Sequence, residues 1–293
     1  MKRKLVIAGM PESGKSTFIA ALRHLLVHQD VRTKLVATRL SDAEGHLNRL
    51  EQEWIACEMV ERTKQTVEEW VSLFVKQVDG SQEAVLMVPD FSGEAFRRPA
   101  ATGHCSEAVA SMLQEIDGML LFTNADRGAD DIRLEQFGEL LDEAIEASKD
   151  LVEGEPVGVK ESVNEDVVPF EPLNMPEEPL LVEILQILNR PPRAPRKRML
   201  AIIVSAWDEV QDNRAEPEEW LRQHRPMLWQ YLRSNTTLWE SRVYGVSAQG
   251  GRLPQDKVAL QCTIPGQRVQ IVGHQAQPHD LTDPIDWLMA NTE

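Results

Sequence analysis

Short unbroken apolar runs alternate with amphipathic stretches along most of the chain. Leu5-Val6-Ile7-Ala8 has the pattern of a strand buried on both faces, and Thr17-Phe18-Ile19-Ala20-Ala21-Leu22 behind it reads as a helix. Residues 31–56 are mixed and polar, with weak helical spacing at Leu40, Leu47, Leu50 and Trp54. Residues 66–75 end in a β-rich run. The turn signal Asp79-Gly80-Ser81 follows, then Ala84-Val85-Leu86-Met87-Val88, which predicts an antiparallel hairpin. A helical stretch over 106–116 leads to the buried run Met119-Leu120-Leu121-Phe122. Ile132, Phe137, Leu140, Leu141 and Ile145 predict an amphipathic helix over 130–149. Later elements are a helix over 180–189, a strand over 199–204, a helix over 217–233 with Pro217 at its start, and a strand over 242–246. A short closing helix over 283–289 has Pro284 in its first turn. Strand–helix, hairpin, then alternating strand and helix predicts an α/β fold: a mostly parallel sheet with one antiparallel hairpin strand and helices on both faces. Ligands then bind at the carboxyl ends of the strands.

Composition changes this picture in one place. Residues 150–179 carry Pro156, Pro169, Pro172, Pro176 and Pro179, many carboxylates and Lys160 as their one cation, which reads as a flexible acidic insertion. Residues 252–282, poorly periodic, read as a second insertion, and 190–198 as a linker into the strand at 199. With those exceptions the 293 residues read as one domain without internal repeats. A net charge of −16 argues against nucleic acid or an anionic membrane as partner. Cys57, Cys105 and Cys262 lie far apart, outside zinc spacings, as expected of free thiols in a reducing compartment. The histidines read as scattered, none in a metal-ligand spacing. No apolar run reaches the length of a membrane span, so the expected location is the cytoplasm.

The chemistry begins at Gly9-Met10-Pro11-Glu12-Ser13-Gly14-Lys15-Ser16, a complete G-x-x-x-x-G-K-S loop between strand and helix. Gly9, Glu12, Ser13, Gly14 and Thr17 frame a cradle of backbone N–H groups at a helix N-terminus, where phosphate oxygens are favoured. Lys15 is expected to reach the β- and γ-phosphates and the Ser16 hydroxyl to bind Mg²⁺. After the strand at 84–88, Asp90-Phe91-Ser92-Gly93 supplies a carboxylate to organise Mg²⁺ and a glycine N–H for the γ-phosphate. After the strand at 199–204, Asp208 in Ser205-Ala206-Trp207-Asp208 can accept from guanine N1–H and the exocyclic amine, two donors that adenine does not present together. Ser247-Ala248 follows the strand at 242–246, with the Ala248 N–H available to guanine O6.

In this order the pieces resemble the P-loop GTPases of the translation-factor and Ras-like class, which implies a three-layer Ras-like fold, GTP and GDP as ligands, and Mg²⁺. The resemblance covers residues 4–94, 119–137, 199–248 and the final helix. The base motif departs from Asn-Lys-x-Asp, with Ser205 and Trp207 at the asparagine and lysine positions; Trp207 either stacks on the base or is a core tryptophan. Asp90 to Glu94, Ser205 to Asp208, Ser247-Ala248-Gln249-Gly250-Gly251 and His279-Asp280-Leu281-Thr282-Asp283-Pro284 are similar to the bacterial double-GTPase group, in its type 2-like form. That group is associated with multi-gene conflict (defence) systems and often a second GTPase gene, which implies a protein partner. The resemblance requires a switch threonine on Mg²⁺. Thr66 has the Ras-like spacing, and Thr63, after Arg62, matches the double-GTPase pattern more closely.

Glu94 stands where the Ras-like pattern has a water-orienting glutamine, and an ionised carboxylate only accepts and adds charge beside the γ-phosphate. Hydrolysis is therefore expected to be slow unless a cation compensates: Arg62, Arg97 or Arg98 in cis, or a partner's arginine. Each of the three arginines also fits a solvated surface charge. The reading is a GTP-binding switch with slow, partner-stimulated hydrolysis in a conflict system. The alternatives are a non-hydrolysing GTP-binding scaffold and a P-loop ATPase or kinase; for the kinase, the only arginine-rich lid on offer, 190–198, runs straight into a core strand.

Overall fold

The computed structural model describes residues 2–39, 44–58, 71–88, 94–126, 175–190, 195–210 and 216–290. Among the described residues eight strands form one sheet: β1 (Arg3–Gly9), β2 (Leu35–Arg39), β3 (Val71–Gln77), β4 (Glu83–Val88), β5 (Gly118–Asn124), β6 (Arg198–Ser205), β7 (Trp239–Ser247) and β8 (Gln270–Val272). Their order is β2-β3-β4-β1-β5-β6-β7-β8. β4, β1, β5, β6 and β7 run parallel, and β3 joins β4 as the predicted antiparallel hairpin, Val71 opposite Val88 and Lys76 opposite Glu83. The turn closes through the Gly80 N–H on the Gln77 carbonyl, 2.8 Å.

The helices are α1 (Lys15–His28), α2 (Glu44–Ile55), α3 (Glu94–Thr102), α4 (Glu107–Glu115), α5 (Glu177–Ile187), α6 (Pro217–His224), α7 (Pro226–Ser234), α8 (Lys257–Gln261), α9 (Pro265–Arg268) and α10 (Asp283–Met289). Successive strand residues point to opposite faces of a sheet, so each central strand feeds two cores. On one face Leu5, Ile7, Leu120, Phe122, Ala201 and Ile203 pack with α1, α2 and α10; on the other Val6, Ala8, Leu121, Leu200 and Ile202 pack with α3, α4, α5, α6 and α7. This is the three-layer α/β arrangement expected from the pattern. Among the described residues no helix is long and apolar enough to cross a membrane.

The structure departs from the sequence reading at several places, each with a physical cause. β2 lies inside the stretch read as weakly helical; it buries Leu35 and exposes Ala37, Thr38 and Arg39, so it carries no apolar run. β8 lies inside the segment read as a second insertion and pairs antiparallel with β7 through Gly245 and Val272. The helix read as continuous over 217–233 is broken: Arg225 leaves helical geometry at φ −135° and Pro226 starts α7, since an interior proline removes an amide donor and clashes with the turn before it. Glu177 and Glu178, read within a solvated insertion, form the buried first turn of α5 instead; Glu178 Oε1 accepts from the Leu228 N–H at 2.9 Å, and Glu177 faces Arg225 at 3.7 Å. The predicted helix over 130–149 and residues 150–174 lie outside the described residues.

The closing His279-to-Pro284 segment fastens the edge of the sheet. Asp280 Oδ2 and the Thr282 hydroxyl accept from the Lys34 N–H at 3.0 and 3.1 Å, Thr282 also accepts from the Leu35 N–H, and Lys34 pairs with Asp283. Burial pushes the Asp280 carboxyl above its ordinary range, against the hydrogen bonds it accepts from Thr282 and the Lys34 N–H, which pull it down.

Candidate functional site

Because five strands run parallel, everything that follows their carboxyl ends shares one rim of the sheet. The phosphate-type loop follows β1 there. Gly9 has φ +153°, and a Cβ on it would lie 2.9 Å from Phe122 Cβ and 2.8 Å from Ser13 Oγ. Gly14 caps α1 in the left-handed region at φ +84°, and its Cβ would lie 2.7 Å from Ser205 Cβ. Neighbours on β5 and β6 thus admit only glycine at both ends of the loop. Glu12 also has positive φ, and its carbonyl accepts from Asn124 Nδ2 at 3.2 Å. The Lys15 ammonium is buried inside the loop, donating to Met10 O (2.6 Å), Gly9 O (3.1 Å) and Ser13 Oγ (3.2 Å). Ser16 and Thr17 are half-buried in the first turn of α1.

The next motif touches this loop directly. Ser205 is buried at the end of β6 against Gly14; its hydroxyl donates to Thr123 O at 3.3 Å, and its carbonyl accepts from the Ala125 N–H at 2.9 Å. Ala206 then takes φ +53° and turns the chain into a single 3₁₀ turn, Trp207–Glu209. The Trp207 ring lies on Gly245 of β7, where a Cβ would come within 2.3 Å of Cδ2, and meets Trp220 edge-on at 6.4 Å. It is half-buried against the α6–α7 side of the core, so it does pack as a core tryptophan on that side. Asp208 is exposed on the same turn, and Glu209 pairs with Arg252. A cavity of about 380 Å³ adjoins, lined by Asp126, Glu209, Arg252, Leu253 and Gln255.

At the end of β7 the Ser247 hydroxyl accepts from the Gly250 N–H at 3.1 Å, and the Ala248 carbonyl accepts from Trp54 Nε1 at 2.9 Å. Trp54 is fully buried in α2. Trp54→Phe is expected to lower stability by about 1–2 kcal/mol, from one lost hydrogen bond and a small cavity. Urea unfolding measures it, and an unchanged midpoint would show that this bond does not hold the loop.

The structure therefore brings Gly9, Glu12, Ser13, Gly14, Lys15, Ser16, Thr17, Trp207, Asp208, Ser247 and Ala248 to one rim. Glu94 opens α3. Arg62, Thr63, Thr66, Asp90 and Gly93 lie outside the described residues. Arg97 and Arg98 are on α3, the second of them exposed. Three supporting residues carry no local signal in the sequence. Asn124 anchors the loop. Arg225 is buried, donating to Thr123 Oγ1 at 3.1 Å and Asn124 O at 3.3 Å, and it holds the end of β5. Ser205 reads from sequence only as a departure from asparagine; its contact with Gly14 depends on β6 lying beside β5.

A family model described as Double-GTPase 1 matches residues 6–288. The chain belongs to the Double-GTPase 1 family. The double-GTPase resemblance carried by the motifs thus holds, with type 1 as the matching type. Membership of this GTPase family supports GTP binding. No curated protein matches the chain. Among solved structures the Double-GTPase 1 chain is similar to a bacterial selenocysteine-specific elongation factor, EF-Sec, at 12% identity and TM-score 0.37, over 89% of this chain and 28% of that one. It is similar to the S. cerevisiae Ski7 GTPase-like domain bound to GTP, at 12% identity and TM-score 0.44, over 99% and 50%. A third likeness is to the signal recognition particle receptor SRb-GTP/SRX complex from Chaetomium thermophilum, at 11% identity and TM-score 0.40, over 89% and 97%. The chain spans well under half the length of the first of these and half of the second.

Proposed function

We propose that this chain, as one GTPase domain, is a GTP-binding switch that hydrolyses GTP slowly until a protein partner stimulates it. The observation that carries the reading is the contact between Ser205 and Gly14, which couples the Ser205–Asp208 base motif to the phosphate loop. In this reading Gly9 to Thr17 bind the phosphates, and Asp208 and the Ala248 N–H read guanine. The indole of Trp207, one face of which rests on Gly245, flanks the base. Ser16, Asp90 and Thr63 or Thr66 offer hydroxyl and carboxylate oxygens, the hard donors Mg²⁺ takes, and they would hold it. When bound, the ion neutralises charge that develops between the β- and γ-phosphates. Glu94 takes the sequence position of the water-orienting residue, and Arg62, Arg97, Arg98 or a partner's arginine offsets its charge. The partner is a second GTPase encoded nearby, in a cytoplasmic conflict system.

Titration of the purified chain with GTP and ATP tests the first half of the reading, and equal affinities would overturn it. Glu94→Gln is expected to raise the single-turnover GTP hydrolysis rate without partner, because the amide restores a donor and removes a charge. An unchanged or lower rate means Glu94 serves as a base or as an ion-pair partner instead. The partner's product should raise the wild-type rate by up to about 10³–10⁵-fold if it supplies an arginine. No detectable turnover under any of these conditions favours the second reading, a GTP-binding scaffold, which Glu94 itself suggests.

A further inference from the structure

His24 and His28 lie one turn apart near the C-terminal end of α1, and Glu51 reaches them from α2. Both imidazoles converge on a single carboxylate oxygen: His24 Nδ1 and His28 Nε2 are each 3.0 Å from Glu51 Oε1. The other oxygen, Oε2, is taken by Arg23. His24 Nε2 faces Asp30 Oδ2 at 3.2 Å, and that oxygen also accepts from the Gly266 N–H at 2.8 Å. The two rings stack with centroids 4.5 Å apart. His24 and Glu51 are buried, while His28 is exposed.

A neutral imidazole has one N–H, yet His24 has a carboxylate oxygen at each nitrogen. With the proton on Nε2, directed at Asp30, the Nδ1 lone pair confronts Glu51. A cation in place of the missing proton relieves the conflict. We propose that His24 Nδ1, His28 Nε2 and Glu51 Oε1 form a zinc-class divalent metal site that clamps α1 to α2. Two imidazoles and a carboxylate, with a fourth position open to water beside exposed His28, are a donor set that zinc takes. Tetrahedral ligands at 2.0–2.1 Å lie about 3.3 Å from one another; the two 3.0 Å spacings to Glu51 Oε1 need a small spread, and all three ligand atoms lie within 4.8 Å of one another. His24 Nε2–H donating to Asp30 is the outer-shell bond that fixes the tautomer of a metal-binding histidine. The spacing His24-x-x-x-His28 offers only two ligands in the sequence, and the third, Glu51, comes from another helix.

The site is separate from the nucleotide loop: eight residues of α1 lie between Lys15 and His24, a rise of about 14 Å along the helix. It also stands independently of the GTPase reading. The test uses the chelator-treated 293-residue chain with Mg²⁺ and GDP present, titrated with Zn²⁺ by calorimetry. The expected result is one site with a Kd on the order of 1 μM or tighter and a raised melting temperature. His28→Ala, at an exposed position, should fold normally and weaken Zn²⁺ binding at least about tenfold, leaving GTP affinity unchanged. Co²⁺ in the same site should give visible ligand-field bands without a thiolate charge-transfer band. Absence of Zn²⁺ binding, undiminished binding in His28→Ala, or a thiolate band pointing to a cysteine would each overturn the assignment.

Discussion

Lys15→Ala is expected to weaken GTP binding by more than about 100-fold, because two charge-assisted hydrogen bonds to phosphate oxygens, each about 1.5–3 kcal/mol, disappear together. The ammonium is already inside the loop, held by the Gly9 and Met10 carbonyls and the Ser13 hydroxyl. These are neutral oxygens that a phosphate can displace without breaking the sheet. The loop keeps its shape in the variant through features that do not involve the lysine: the left-handed Gly14 against Ser205, and Asn124 on the Glu12 carbonyl. The loss should therefore appear in affinity far more than in melting temperature. Calorimetry with a non-hydrolysable GTP analogue, alongside a thermal melt, separates the two. An affinity within threefold of the wild type would mean that the triphosphate does not bind at this loop.

Asp208→Asn is expected to weaken GTP binding by about 10–100-fold while changing ATP binding much less. A carboxylate accepts from both guanine donors. An amide offers one acceptor, and its N–H₂ opposes the remaining donor. Asp208 is exposed on a one-turn 3₁₀ segment, so the substitution costs little packing. Xanthine carries a carbonyl where guanine has its amine. The asparagine variant should therefore prefer xanthosine triphosphate to GTP, with its oxygen on N1–H and its N–H₂ on the new carbonyl. Parallel loss of GTP and ATP affinity, with no gain for the xanthine nucleotide, would show that Asp208 is not reading the base.

How far the sequence could be read depended on whether a feature is local. The loop from Gly9 to Ser16 is legible because its requirements lie within a few residues: positive φ at the glycines, a helix start, a lysine beside it. The central strands are legible because burial on both faces demands continuous apolar runs, as in β6, where all eight residues are buried. Edge strands lack that demand. β8 buries one residue of three, and β2 one of five outright, so neither stands out from a loop. Pro226 could have been read: an interior proline is a break, and the amphipathic spacing on either side concealed it.

Composition and spacing alone determined that this chain has a phosphate loop between strand and helix, a set of buried parallel strands, and the Asp90, Asp208 and Ser247 motifs in a fixed order behind them. Those properties follow from nearest neighbours in the chain. Only the tertiary structure decided which distant residues meet. The order of the sheet places Ser205 against Gly14, lays Trp207 on Gly245, brings Arg225 under Asn124, and sets Glu51 between two histidines of another helix. Such contacts are set by strand order and helix packing, which sum weak preferences over the whole core, so no short segment carries a signal for them.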